Sequence, residues 1–153
     1  MTIRQTRDCR ARVPFNTLLG TELQRVHRDG ITIACTFRSE LQNSAGRAHG
    51  GVAAAMADAA VGIAIQRHFD GRPRITTVEL KVNYFRPVIK GRIFARSHLL
   101  RIGPTLCVGN VELTDEHARA VGTAIVTYML VDAPVAVPTV CRVPRCARRR
   151  QVA

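Results

Sequence analysis

"NSAGRAHGGVAAAMADAAVGIAIQRHF" occupies residues 43–69. Between 52 and 65 every residue is Ala, Val, Ile, Met or Gly, except Asp58. A helix that is apolar all round is a buried helix. The pattern predicts one over 50–68, about 28 Å long at 1.5 Å per residue. The neighbours of Asp58 three and four positions away are Ala54, Ala55, Val61 and Gly62, all apolar. Its carboxylate therefore has no polar face to sit on. An unpaired buried carboxylate costs several kcal/mol or gives up its charge. Such a group is kept where it is paired or used. The plainer alternatives are a locally exposed edge or a buried hydrogen bond. The small residues around Asp58 leave room for a pocket.

The start of the helix reads "AHGG". Glycine lets a ligand approach the backbone closely. First-turn N–H groups have no partner within the helix and carry the positive end of the dipole. That arrangement suits a developing oxyanion. Asn43 and His49, just upstream, add side chains able to donate hydrogen bonds.

A sheet must curl around such a helix. Upstream, "ITIACTF" alternates with period two and reads as a strand. "GTELQRVHRDG" before it reads as its partner, turning at Asp29-Gly30. "FNTLLG" reads as a short helix stopped by Gly20. Downstream come four strand-like runs. "ITTVELKVNYF" is expected to place Val78, Leu80, Val82 and Tyr84 on one face. "RIFARSHLLRI" follows a turn at Lys90-Gly91, and "TLCVGNVEL" and "ARAVGTAIVTYMLV" follow in turn. The turn residues suit antiparallel hairpins. Two strands, one helix and four strands make an α+β layout, an antiparallel sheet of five to six strands wrapped around one long central helix.

The chain of 153 residues suits one domain with a real core. No apolar window reaches the ~18 residues of a membrane helix, and the first residues lack an apolar leader, so a cytoplasmic location is expected. The five cysteines are odd in number and widely spaced, against a disulfide framework or a zinc site. His27, His68, His98 and His117 read as surface or strand positions, and no metal is implied. The net charge of +12 favours an anionic partner. Much of it lies in "RQTRDCRAR" and "CRVPRCARRRQVA", without the interleaved aromatics of a nucleic-acid surface. A phosphorylated small molecule is the better expectation. Residues 1–14 read as a basic tail, 15–131 as the folded domain, and 132–153 as an Arg-rich, poorly ordered tail.

The pattern N-x5-HGG-x6-D, present as Asn43, His49, Gly50, Gly51 and Asp58, resembles the hotdog-fold acyl-CoA thioesterases of the phenylacetate-pathway type. "FNTLLG" and "TTVELKVNYFRP" extend the resemblance to about residues 15–131. It implies hydrolysis of a fatty or aromatic acyl-CoA to the free acid and coenzyme A, with no cofactor beyond the substrate's own coenzyme. It implies a homodimer paired edge to edge, commonly a dimer of dimers (a homotetramer). By the same resemblance, the Gly50 N–H holds the thioester carbonyl and Asn43 helps polarise it. Asp58 activates water or attacks directly, Thr77 (rather than Thr76) positions that water, and His49 assists the departing thiolate. Arg86, Arg47, Lys90 and Arg92 are candidates for the coenzyme phosphates.

A distance sharpens this reading. Gly50 and Asp58 are eight residues apart, about 12 Å along a helix axis, while catalysis needs contacts of about 3 Å. A site using both is easier to build across two subunits. The alternative reading is a non-catalytic acyl-CoA-binding hotdog protein. A hotdog dehydratase or hydratase uses a different His/acid arrangement.

Overall fold

The structure is a computed structural model and describes residues 2–6, 13–72 and 74–131. The expected C-terminal tail, 132–153, lies outside these residues; of the expected N-terminal tail, 2–6 and 13–14 are described, and there 3–6 form a helical turn with Thr6 buried.

A short helix, α1 (Pro14–Leu19), opens with proline in its first turn and ends at Gly20, whose φ of 74° is the left-handed conformation of a helix stop. Then follow β1 (Thr21–Val26) and β2 (Ile31–Thr36), the long helix α2 (Gly50–His68), and β3 (Arg74–Tyr84), β4 (Arg92–Ile102), β5 (Leu106–Asp115) and β6 (Ala120–Val131). All pairings are antiparallel, in one six-stranded sheet of order β1-β2-β4-β5-β6-β3.

Alanine is the best helix former and carries little bulk, so α2 can lie close against the sheet. It packs on β2, β4, β5, β6 and β3. Met56, Val61 and Ile65 are fully buried there, each contributing about 1.5–3 kcal/mol of apolar transfer. Ser97 on β4 ties helix to sheet. Its buried hydroxyl lies 3.0 Å from the Ala60 carbonyl oxygen and accepts from Ile31 N–H at 3.1 Å.

Two features differ from the sequence reading. Lys90-Gly91 does not close a hairpin, because β4 pairs with β2 and β5 while β3 crosses to pair with β6. The local turn signal is real, with Gly91 at φ 80°, but it cannot report which strands pair. Nor is the expected face of β3 covered: Val78, Leu80 and Tyr84 are 52%, 38% and 56% exposed. β3 is an edge strand, and its ladder with β6 carries a bulge between Thr77 and Glu79. Among the described residues, no helix is long and apolar enough to cross a membrane.

Candidate active site

Of the cavities along α2, two hold one half each of the expected site, and a third of about 550 Å³ meets the helix at Gly51 and Val52. The first, of about 520 Å³, is lined by Asp58 with Phe15, Ala59, Ile63, Ile75 and Thr77 among others. The second, of about 320 Å³, is lined by Gly50 with Asn43, Arg47, His49, Tyr84 and Arg86 among others. Gly50 and Asp58 of one chain thus open into different cavities, as their separation along the helix requires.

In the first cavity, Asp58 is half-buried. Its Oδ1 accepts two hydrogen bonds, from Thr77 Oγ1 at 2.8 Å and from Tyr128 Oη at 2.8 Å. Its Oδ2 has no partner among the described residues. Thr77, not Thr76, makes the contact, although both line the cavity. Within the chain the Thr77 hydroxyl is committed to the carboxylate itself, where the sequence reading gave it a water. Tyr128 belongs to β6 and stands directly opposite Thr77 in the ladder. Burial, and then the charge of Asp58, push its phenol well above the usual range, so it stays protonated and donates. Sequence reasoning missed Tyr128. Its only signal is a phenol in a strand, and the partner lies 70 positions away.

In the second cavity, His49 is the N-cap of α2, its Nδ1 accepting from Gly51 N–H at 3.0 Å. The neutral ring then carries its proton on Nε2. Val52 N–H bonds the His49 carbonyl at 2.9 Å. Gly50 N–H is left without a partner among the described residues, an open donor at the positive end of a long helix. The hydroxyl of Tyr84 donates to the Gly50 carbonyl at 2.9 Å. Asn43 holds the loop before the helix, its Oδ1 accepting from Ala45 N–H at 2.9 Å and Arg47 N–H at 3.2 Å. Its amide NH₂ remains available.

Of the four basic candidates, Arg47 and Arg86 line the Gly50 cavity. Lys90 is exposed in the loop before β4. Arg92 lies on β4 facing away from both cavities, paired with Glu22 at 3.1 Å and stacked over Phe94 at 5.2 Å. Among the described residues, no three His, Cys, Asp or Glu gather in a way that could hold a metal ion.

A family model described as the thioesterase superfamily matches residues 45–121, which include Gly50, Asp58 and Thr77. The chain belongs to the thioesterase superfamily. A relative from Escherichia coli strain K12, the medium/long-chain acyl-CoA thioesterase YigI, is 32% identical, with 77% of this chain and 86% of that protein covered. A thioesterase family protein from Silicibacter pomeroyi superposes with a TM-score of 0.76 at 26% identity, covering 84% of this chain and 96% of that one. A Haemophilus influenzae thioesterase superposes at 0.78 with 19% identity, covering 86% and 91%, and shows the fold alone. The six-stranded antiparallel sheet around one central helix is the hotdog fold of these thioesterases, and the chain is a thioester hydrolase. The phenylacetate-pathway type expected from the motif is a finer assignment than the superfamily match carries.

Proposed function

We propose that the protein hydrolyses acyl-CoA thioesters to the free acid and coenzyme A, in sites each assembled from two copies of the chain. The observation that carries this reading is the carboxylate of Asp58 at an apolar cavity, with Oδ1 held by two hydroxyls and Oδ2 without a partner among the described residues. The cavity, at about 520 Å³, is within the ordinary range for small-ligand sites. Its Phe15, Ile63 and Ile75 walls suit a hydrocarbon chain. The name of the 32%-identical relative, a medium/long-chain acyl-CoA thioesterase, supports chains of that class.

The thioester carbonyl oxygen accepts from Gly50 N–H of the other copy, where the helix dipole and the Asn43 amide stabilise the negative charge that develops. Asp58 Oδ2 takes a proton from an attacking water, or attacks the carbonyl carbon itself. Direct attack leaves an acyl anhydride on Asp58, which water then cleaves to the free acid. Both routes break the C–S bond, and the departing coenzyme thiolate accepts a hydrogen bond from His49 Nε2–H and takes up the proton that the water has lost. Arg47 and Arg86, beside Gly50, face the coenzyme phosphates.

The dimer forms along β3. This strand has 11 residues, one free edge, and exposed Val78, Leu80 and Tyr84. An edge of that length and apolarity is a ready surface for a second copy. A dimer of such dimers gives a homotetramer. No resident cofactor enters the chemistry. Cys35 and Cys107 are free thiols, which fits a reducing cytoplasm.

The test is thiol release from a panel of acyl-CoAs, phenylacetyl to palmitoyl, by wild type and Asp58→Asn. Turnover in wild type with a loss of at least ~10²-fold in the variant supports the reading. Saturable binding without turnover in either would establish a binding protein instead.

A further inference from the structure

We propose that Tyr128 is a positioning residue for the reaction: its hydroxyl fixes which oxygen of Asp58 faces the substrate. The inference rests on Asp58 being the acid–base or nucleophilic group proposed above.

Three observations converge on it. Tyr128 Oη lies 2.8 Å from Asp58 Oδ1 and 3.0 Å from the Asp58 carbonyl oxygen, so its one proton has two acceptors, both on Asp58. Its single proton goes to the carboxylate, because a charged acceptor makes the stronger bond. Thr77, its ladder partner, donates to the same Oδ1 from the neighbouring strand. Two donors on one oxygen set the rotation of the carboxylate and leave Oδ2 as the oxygen that meets water or the acyl carbon.

The third observation is Gly62, one turn beyond Asp58. A Cβ at Gly62 would stand 2.7 Å from Tyr128 Oη and 3.1 Å from its Cζ. The helix lacks a side chain where the phenol needs to reach it. Tyr128 itself is 6% exposed, held in place by the core rather than by solvent. A buried phenol packed only for bulk would need neither the glycine nor the carboxylate.

The role separates from packing by its effect on kcat against KM. Tyr128→Phe keeps the ring and removes the donor. Expected is a kcat lower by about 10–100-fold with KM within about threefold, the split of a group that orients the carboxylate and does not bind substrate. Gly62→Ala keeps the phenol but crowds it, so it should lower kcat alone and add little in the Tyr128→Phe background, a non-additive cycle. It also serves if Tyr128→Phe does not fold. Asp58→Asn is run in parallel. If Asp58→Asn abolishes turnover while Tyr128→Phe keeps the wild-type kcat, or the two other substitutions simply add, the positioning role is wrong and the thioesterase reading stands. If Asp58→Asn retains turnover, the catalytic reading of Asp58 falls and this inference falls with it.

Discussion

Gly50 is roofed by Tyr84: a Cβ on Gly50 would lie 3.1 Å from the Tyr84 ring, whose hydroxyl already donates to the Gly50 carbonyl. The glycine is thus fixed by a neighbour as well as by the ligand it is placed to admit. Gly50→Ala should lower kcat by about 10-fold or more, because a shifted helix start moves the open N–H off the carbonyl oxygen. Alanine itself is a good helix residue, so the thermal midpoint should change by only a few degrees. Parallel steady-state kinetics and thermal unfolding check this. A large drop in the midpoint would assign Gly50 to stability instead.

A site shared between copies makes a stoichiometric prediction. Asp58→Ala and Gly50→Pro chains should each be inactive alone. Unfolded and refolded together in equal amounts, half of the dimers are mixed, and each mixed dimer holds one intact site. About a quarter of wild-type activity should return. No recovery, with mixed dimers demonstrated, would place both groups in one chain.

The arginines separate by location. Arg86→Ala should raise the inhibition constant of free coenzyme A about 3–10-fold at low salt, and less at high salt, since it removes one exposed charged contact to phosphate. Arg92→Ala should leave it unchanged, because Arg92 is engaged with Glu22 and Phe94. Equal effects from both would mean a general field rather than a contact.

The Tyr128 phenol supplies a pH prediction on stability. Its ordinary value is 10, and burial followed by the Asp58 charge raises it in the folded chain. Below pH 10 it is neutral in both states and gives no pH dependence. Above pH 10 the unfolded chain loses the proton while the folded chain keeps it, so stability falls as pH rises. Tyr128→Phe should lose less of its denaturant midpoint between about pH 9 and about pH 11.5 than wild type. Equal losses would show that the phenol ionises freely in the native protein.

The fold was legible where local pattern carries it. The apolar run over 52–65, broken only by Asp58, pointed to α2, period-two alternation pointed to β2, and Asp29-Gly30 to the β1–β2 turn. Pairing was not legible, because the crossing of β3 to β6 is a long-range choice that Lys90-Gly91 cannot encode. In the site, Asp58 stood out as a charge among alanines, and Gly50 as a glycine at a helix start. The two tyrosines did not stand out, since an aromatic in a strand reads as packing until the helix carbonyl or carboxylate opposite it is known. His49 was legible as a polar group at the helix start, but its role as the cap emerges only from the Gly51 N–H on its Nδ1.

The bulge at Val78 has a consequence for how the two cavities stay in phase. Thr77 and Tyr84 both reach α2, one at Asp58 and the other at Gly50. They are seven positions apart, and in a regular strand an odd spacing sends side chains to opposite faces. The one extra residue between them restores the parity. Val78 therefore acts as a spacer whose presence matters more than its side chain. Exchanging it for another β-former changes little, whereas removing it would turn either the Asp58 contact or the Gly50 contact outward, a frameshift in space with the chemistry on one side of it lost.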